Sequence, residues 1–496
     1  MRVGRHGVGH GARHAWSNTR RIGRYGVTPS AGDLFSDPRL PEALARLAAP
    51  GGYEAFESQV QGARFCRRPV RLKGAVVETL ADGTGRVLFD SSSQPDRVLL
   101  KACGTRRQTL CPPCASIYRG DAFALVAAGL RGGKGMPEEV SNHPAVLVTL
   151  TAPSFGVVHR TSRDGSCHRS GPRCPHGTAL RCGRRQAGND PELGQALCRS
   201  CYDYDAAVLF NASVSELWRR TTIYALRALG NLAGLSVRAV AKEVRLSYVK
   251  VAEFQRRGSV HLHALVRLDA VGDGLSAPPE RFSADLLATA LELAARRVSA
   301  PVAGTRTTAD DRVRWGRELD VAIVTDRDAG RRRAAAYLAK YSTKSTDDHG
   351  VLDHRLRAGI PDALELPAHL RSLVESAWRL GGQEEGKELR LRAWAHTAGY
   401  RGHCLTKSRR FSTTFAALRA TRQEWTVAEK RAGAEADVET GTDDDQTRIV
   451  STWTFVGMGY TTAGDAWLAE SIAEEERLAR RCAYEERQDE MAEPDR

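Results

Sequence analysis

Residues 258–266, with the sequence Gly-Ser-Val-His-Leu-His-Ala-Leu-Val, restrict the fold of this chain more than any other segment. Apolar residues surround two histidines and turn-forming residues are nearly absent, so the pattern predicts a buried β-strand. Because successive side chains of a strand point to opposite faces, His261 and His263 share one face and Leu262 points to the other. Two imidazoles side by side on a rigid strand are half of a metal site. Taken by itself, the motif equally fits two hydrogen-bonded histidines in a sheet.

The charge of the chain indicates a polyanionic partner. Lys and Arg exceed Asp and Glu by 73 − 59 = 14 among 496 residues, and the pI is near 9.4. Nucleic acid is the usual partner of a protein with such a field. The basic residues form clusters, in which we expect contacts to DNA phosphates, although a solvated basic loop is an alternative near the C-terminal cluster. The residues of this predicted DNA-binding set are Arg256, Arg257, Arg331, Arg332, Arg333, Lys407, Arg409 and Arg410.

The cellular compartment follows from the apolar runs and the cysteines. No apolar run approaches the length of a membrane span, and residues 1–38, which we expect to form a disordered basic arm, lack the apolar core of a secretory signal. We therefore expect a cytoplasmic protein. In that reducing compartment the 11 cysteines are more often metal ligands than disulfides.

One group of cysteines predicts a structural zinc site near the N-terminus. Cys111 and Cys114 form a CxxC knuckle, which lets one turn supply two thiolates, and Cys103 lies eight residues before it. With Cys66 the group provides the four ligands of a tetrahedral zinc ion. A redox CxxC is the weaker interpretation, because no thioredoxin-like βαβ pattern surrounds the pair.

A second group predicts another structural zinc ion, so that we expect two in all. Residues 159–204 are rich in loops and contain a second CxxC pair. Such a segment has no core of its own, so metal binding would supply its folding free energy. His176 and Cys167 compete for places in the ligand set, and His168 is a further candidate. The four residues that we favour are Cys174, Cys182, Cys198 and Cys201.

Residues 331–344 predict a helix with an unusual polar stripe. Tyr337 and Tyr341 lie four residues apart, and Lys340 and Lys344 each lie three residues after a tyrosine, so all four fall near one face. An amphipathic helix with packed tyrosines and solvated lysines is the simpler interpretation of this stripe by itself.

Together, the tyrosines and the histidine pair suggest phosphodiester chemistry. A tyrosine phenolate can attack a phosphodiester, helped by a divalent metal that polarises the phosphate and by cations that lower the phenol pKa. The third metal ligand is predicted to be Glu253, with Gln255 as the second choice.

Three motifs in a fixed order resemble those of a known family. Residues 148–151 (Val-Thr-Leu-Thr), His261-Leu262-His263 and residues 337–344 are similar to the motifs of rolling-circle replication initiators in the histidine-hydrophobe-histidine endonuclease superfamily. More narrowly, residues 60–425 resemble replication initiator proteins of actinobacterial plasmids and integrative elements. The resemblance implies a nickase that forms a 5′-phosphotyrosine link at an origin and uses Mg²⁺ or Mn²⁺. The sequence shows no nucleotide-binding P-loop, so a host helicase is an expected partner.

The fold class expected from the pattern and the resemblance is α+β, with a central antiparallel sheet flanked by helices. The predicted division places a zinc-binding domain at 39–130, the nicking domain at 141–350 with its zinc-binding insertion at 159–204, a helical region at 351–434, and an acidic linker with a charged helix and tail at 435–496.

Two other functions fit the same residues. A relaxase or a transposase uses the same nicking chemistry at a transfer origin or an element end, and the motifs do not separate these from an initiator. A zinc-containing DNA-binding regulator without catalysis is the alternative from a different class.

Overall fold

The computed structural model describes most of the chain, in two compact units. The described residues are 37–49, 52–79, 85–162, 164–272, 274–302, 312–325, 328–344, 352, 355–356, 366–434 and 448–492. Residues 1–102 and 446–496 contribute to the first unit, and residues 103–445 to the second. The predicted arm at 1–38 and the predicted linker at 435–447 fall almost entirely outside the described residues.

Helices and strands are interspersed along the described part of the chain. The helices are α1 (Leu40–Ala48), α2 (Gly52–Gly62), α3 (Pro112–Arg131), α4 (Tyr204–Leu232), α5 (Val237–Glu243), α6 (Ala284–Arg297), α7 (Ala329–Lys344), α8 (Ala368–Leu380), α9 (Glu384–Lys387), α10 (Phe415–Ala434) and α11 (Ala463–Ala492). The strands are β1 (Val70–Thr79), β2 (Gly85–Asp90), β3 (Leu99–Lys101), β4 (Ala145–Leu150), β5 (Val244–Phe254), β6 (Val260–Ala270), β7 (Ala300–Pro301), β8 (Arg312–Val313), β9 (Leu319–Ile323), β10 (Leu405–Lys407) and β11 (Arg448–Met458).

The first unit joins the two ends of the chain. β1 is paired with β2, β3 and β11, all antiparallel. Helix α11 packs Leu468 and Ile472 against Phe56 and Val60 of α2. The sequence division made residues 435–496 a linker, helix and tail, whereas the structure places residues 448–458 in a sheet. Charge patterning does not reveal a strand whose partner lies almost 400 residues away.

The second unit is built on a five-stranded sheet in the order β10-β5-β6-β4-β9. Every neighbouring pair in it is antiparallel. Helices α4 and α6 pack on one face, and α3 and α7 pack on the other. The prediction of an α+β protein with antiparallel sheets and flanking helices is therefore confirmed. The region predicted to be helical at 351–434 also contributes β10, one edge of this sheet.

β6 is central in this sheet and buried on both faces, which explains its nearly continuous apolar sequence. A tight turn connects it to β5, with the Gln255 N–H donating to the Ser259 carbonyl. Gly258 has φ +74° in this turn, a left-handed conformation that favours glycine.

Asn211 of α4 fixes the entry into β6. Its side chain is fully buried, donates to the carbonyl oxygens of Gly258 and Ala398, and accepts from the Val260 N–H. Three backbone groups therefore depend on one carboxamide, because no water reaches them at this depth.

We predict that Asn211→Ala lowers the free energy of unfolding by about 2–4 kcal/mol, because it leaves several buried backbone groups without partners. Urea unfolding followed by circular dichroism measures the change. Asn231→Ala, the same substitution at an exposed position on the same helix, should change stability by less than about 0.5 kcal/mol. Equal effects of the two variants would contradict this role of Asn211.

Candidate active site and metal centres

The histidine pair lies on the sheet face that α7 covers. In the antiparallel register of β5 and β6, Glu253 is directly opposite His261, so both side chains share the face of His263. Glu253 Oε2 lies 3.0 Å from His263 Nε2, and the two imidazole rings stack with centroids 4.6 Å apart. One ligand atom from each of the three residues lies within 4.8 Å of the others. Two imidazoles and a carboxylate at this spacing suit Mn²⁺ and tolerate Mg²⁺.

Neighbouring polar groups hold the two rings in place. Thr149 Oγ1 lies 3.2 Å from Nδ1 of His263, and Gln255 Nε2 lies 3.2 Å from Nδ1 of His261. Gln255 thus faces the ring through its amide nitrogen, which is no metal ligand, while its Oε1 accepts from Arg257. This geometry favours Glu253 over Gln255 as the third ligand.

Burial sets the protonation of His261. Desolvation and, to a lesser degree, the neighbouring His263 lower the pKa of His261 to about 4, and Glu253 offsets this only in part. His261 is therefore neutral at physiological pH, which is the form that coordinates a metal.

Helix α7 brings the two tyrosines to the histidines. Alanines of α7 pack on the sheet together with Leu338. Because the alanine side chains are small, the helix approaches the sheet closely. Tyr337 Oη lies 3.4 Å from His263 Nδ1. The Tyr341 ring stacks on the His263 ring at 4.5 Å and 30°, and the two tyrosine rings are 4.6 Å apart.

The surroundings of Tyr337 keep its phenol protonated. Burial, then the neighbouring Tyr341 and Glu253, raise the pKa of Tyr337 well above its usual value, and a hydrogen bond with Thr149 opposes the shift. The Lys340 ammonium lies 6.0 Å from the centroid of the Tyr341 ring. The side chain of Lys344, the last residue of α7, falls outside the described residues. A cation bound beside Glu253 would offset the smaller part of this shift that Glu253 causes.

Arginines from the predicted DNA-binding set divide into internal and surface groups. Arg331 is 4% exposed and donates to the carbonyl oxygens of Leu130 and His143, so it ties α7 to α3. The Arg257 guanidinium donates to the carbonyl oxygens of Ala152 and Pro153, and burial lowers its pKa. Arg331 differs from the expectation because it lies inside the fold, whereas Arg257 also lines the groove described below and its contact with DNA stays a prediction.

The remaining members of the set lie nearer the surface. Arg332, Arg333 and Arg409 are exposed. Arg256 donates to the Asp190 carbonyl, and Arg410 to the Gly272 carbonyl. Lys407 is half-buried and contacts the carbonyl oxygens of its own loop.

A groove of about 1370 Å³ opens beside the histidine pair. Its lining includes Thr151 and Gln255, both next to His261. Arginines also line it, and Arg160, Arg314 and Arg317 are exposed there. The sequence analysis missed these three because they stand singly, although the alternation Arg-Val-Arg-Trp-Gly-Arg at 312–317 was a usable signal.

Three cysteines of the first predicted zinc site come together in the second unit. Ligand atoms of Cys103, Cys111 and Cys114 lie within 4.8 Å of one another, and the Cys103 and Cys114 sulphurs are 3.7 Å apart. Two sulphur ligands of a tetrahedral zinc ion lie about 3.8 Å apart. Cys66 is assigned to the first unit, and its place in this ligand set stays a prediction.

The second predicted zinc site differs from the expectation at one ligand. Cys174, Cys198 and Cys201 gather with His176, whose Nδ1 lies 3.1 Å from the Cys201 sulphur. Cys182 is not in this group, because its N–H pairs with the His168 carbonyl and so places its side chain elsewhere. His176 thus takes the place that the sequence analysis gave to Cys182, and these clusters have the composition of zinc sites.

Comparisons with known proteins assign the class. Residues 52–474 match the RepSA family model, described as "Replication initiator protein, pSAM2". The chain is 37% identical over 472 residues to a replication initiator protein of Streptomyces ambofaciens, covering 92% of this chain and 98% of the relative. No solved structure matches. Within the described residues, no helix is long and apolar enough to cross a membrane.

The site and these matches define the class as replication initiators. More narrowly, the chain belongs to the RepSA family of replication initiator proteins, and the predicted resemblance to that class is confirmed.

We predict that Glu253→Gln weakens Mn²⁺ binding at least tenfold, because it removes the only negative charge among the three candidate ligands. Isothermal titration with Mn²⁺ measures the affinity. Asp320→Asn is the matched control, since Asp320 lies opposite Thr149 on the same sheet face but outside the ligand cluster. Unchanged affinity in Glu253→Gln would rule out this carboxylate as a ligand.

Proposed function

We propose that the protein starts rolling-circle replication by nicking one DNA strand through metal-assisted attack of a tyrosine. The observation that carries this proposal is that both tyrosines contact the ring of His263. Tyr337 Oη lies 3.4 Å from His263 Nδ1, and the ring centroids of Tyr341 and His263 are 4.5 Å apart. Family membership supports the role at an origin. The five-stranded antiparallel sheet, with the histidine pair on its central strand and the tyrosine helix across the same face, supports the histidine-hydrophobe-histidine endonuclease fold.

The cleavage step is a transfer of the 5′ phosphate. The phenolate oxygen of Tyr337 or Tyr341 attacks phosphorus, the bond from phosphorus to the 3′ oxygen breaks, and that oxygen takes up a proton to become the 3′ hydroxyl. His261, His263 and Glu253 would hold the divalent cation, which would supply Lewis-acid polarisation of the scissile phosphate. The phenol gives up its proton to solvent as it attacks, and the positive charge of Lys340 favours this loss.

Two tyrosines permit two strand transfers. One phenol cuts the origin and leaves a 3′ hydroxyl that primes synthesis. The second, one helical turn away, accepts the strand when the replicated copy is resolved. The contact between Tyr337 Oη and His263 Nδ1 supports this role, because the phenol oxygen lies next to a candidate metal ligand. The ring of Tyr341 lies beside the ring of Tyr337. Strand separation by a host helicase is part of the proposal.

The basic groove supports a path for single-stranded DNA. Arg160, Arg314 and Arg317 are exposed along it, and Thr151 connects its wall to His261. Phosphates track such a positive groove without sequence preference, while half-buried aromatic rings such as Phe155 offer a face to a base.

We predict that the double variant Tyr337→Phe with Tyr341→Phe forms no covalent adduct with a single-stranded origin oligonucleotide in Mn²⁺ or Mg²⁺, while binding it as wild type does. Each single variant should retain part of the activity, because one phenol remains beside the metal ligands. Denaturing gels with 5′-labelled and 3′-labelled DNA measure adduct formation, and fluorescence anisotropy measures binding.

The control for the phenol test is Tyr484→Phe, since Tyr484 is 59% exposed on α11. Adducts formed by the double variant would exclude both tyrosines as nucleophiles. Absence of adducts with wild-type protein would instead favour the non-catalytic zinc-containing regulator. Adducts with transfer-origin or element-end DNA in preference to replication-origin DNA would favour a relaxase or transposase.

We further predict that replacing Arg160, Arg314 and Arg317 by Ala weakens single-stranded DNA binding tenfold or more at low salt. The slope of the logarithm of the binding constant against the logarithm of the salt concentration should fall in magnitude by about 2, because each lost phosphate contact on a single strand contributes about 0.7. Anisotropy at several salt concentrations measures both quantities. A triple alanine variant at Arg238, Lys242 and Arg297 removes the same charge from exposed positions outside the groove. Equal losses in both variants would show that only net charge matters.

A further inference from the structure

The inserted segment between β4 and α4 needs a source of folding free energy other than an apolar core. Its described part, from residue 151 to residue 203, contains isolated bridges and one short 3-10 turn at Arg199–Cys201. Cys167, Cys174 and Cys198 are nevertheless buried, at 3–7% exposure. Metal binding can supply the free energy that such a segment lacks.

Cys182 has its own neighbours in this segment. The Cys167 N–H donates to the Arg184 carbonyl and the Cys182 N–H donates to the His168 carbonyl, so the two cysteines lie on adjacent chain segments. His159 is held beside them, and its Nδ1 lies 3.7 Å from the Cys167 sulphur. Ligand atoms of His159, Cys167 and Cys182 all lie within 4.8 Å of one another. Nitrogen and sulphur ligands of one tetrahedral zinc ion lie about 3.6 Å apart.

A fourth polar side chain stands next to this cluster. Gln186 is 3% exposed, and its Nε2 lies 3.1 Å from His159 Nδ1. Its Oε1 is buried and finds no hydrogen-bond partner within the described part of the chain. The oxygen and nitrogen of a carboxamide exchange places by one rotation, and their assignment follows from their neighbours. That rotation turns the carbonyl oxygen of Gln186 towards the cluster and supplies a fourth donor.

The two clusters of the segment alternate along the sequence. His159 and Cys167 come first, and the pair Cys174 and His176 of the other cluster follows. Cys182 and Gln186 return to the first cluster, and Cys198 and Cys201 complete the second. Along the chain, ligands of each cluster therefore lie between ligands of the other cluster. Two ions bound in this order would together fix the loops that carry both clusters.

We propose that His159, Cys167, Cys182 and Gln186 bind a structural zinc ion, distinct from the ion at Cys174, His176, Cys198 and Cys201. Binding converts two thiols to thiolates and releases their protons to solvent. His159 and Gly194 line the basic groove, and the His159 carbonyl accepts from the Gly194 N–H. The ion therefore fixes the wall of that groove. The proposal does not depend on nicking.

Zinc content of the full chain tests the proposal. Purified protein is dialysed against metal-free buffer, and its zinc is measured by inductively coupled plasma mass spectrometry. We expect Cys182→Ser and Cys174→Ser each to lose one zinc per chain, and the double variant to lose two. A double variant that loses only one ion would show a shared site and overturn the proposal, as would a Cys182→Ser variant with full zinc content.

Two controls separate zinc loss from general damage. Cys404 is buried, as Cys174 is, but lies outside the clusters found among the described residues, so Cys404→Ser should keep all the zinc. Gln186→Ala should lower the affinity for one zinc ion only. Gln195→Ala removes the same side chain at a position where the carboxamide donates to the Pro191 carbonyl, and it should leave every affinity unchanged. If Gln186→Ala has no effect on any ion, the assignment of the fourth ligand is overturned.

A measurement on the wild-type chain covers the case in which a serine variant does not fold. Protein loaded with ¹¹³Cd gives resonances whose shifts move with the number of bound thiolates. The proposed site has two thiolates, whereas the cluster with Cys174 has three and the predicted site with Cys66 has four. A two-thiolate resonance supports the proposal, and a spectrum without one overturns it.

Discussion

The register between β5 and β6 is the constraint on which the rest of the site depends. It sets Glu253 opposite His261 and leaves His263 on the same face, next to Thr149 of β4. A slip of one residue would turn the carboxylate to the opposite face, into the apolar core under α4 and α6. The tight turn at Gly258 and the buried carboxamide of Asn211 fix this register, so residues outside the candidate site decide how its three candidate metal ligands are arranged.

Helix α7 and the candidate metal ligands interact electrostatically. The alanine-rich side of α7 packs closely on the sheet, and burial, followed by the neighbouring Tyr341 and Glu253, raises the pKa of the Tyr337 phenol above its ordinary value. A cation bound at Glu253 would offset the part of the shift that this carboxylate causes, whereas burial, the largest cause, would remain.

The basic groove depends on arginines from several loops and on whatever orders those loops. Arg257 holds the β5–β6 turn to the end of β4, and it lines the groove together with isolated arginines of other loops. Loops without an apolar core can form such a wall only if something else orders them. Clusters of cysteine and histidine provide ligands for that purpose, at positions where the backbone pairing of the loops brings them together.

The sequence by itself determined which residues share a face within one strand or one helix and which loops contain clustered cysteines. Alternation placed His261 and His263 on one strand face, the spacing of four placed Tyr337 and Tyr341 on one helix face, and the CxxC pairs marked the candidate metal-binding loops. Tertiary structure decided which distant residues meet: His176 in place of Cys182, Arg331 inside the fold instead of on DNA, and residues 448–458 as a strand beside β1. Spacing along the chain encodes neighbours within one element, whereas contacts between elements depend on backbone pairing and packing that no single segment specifies.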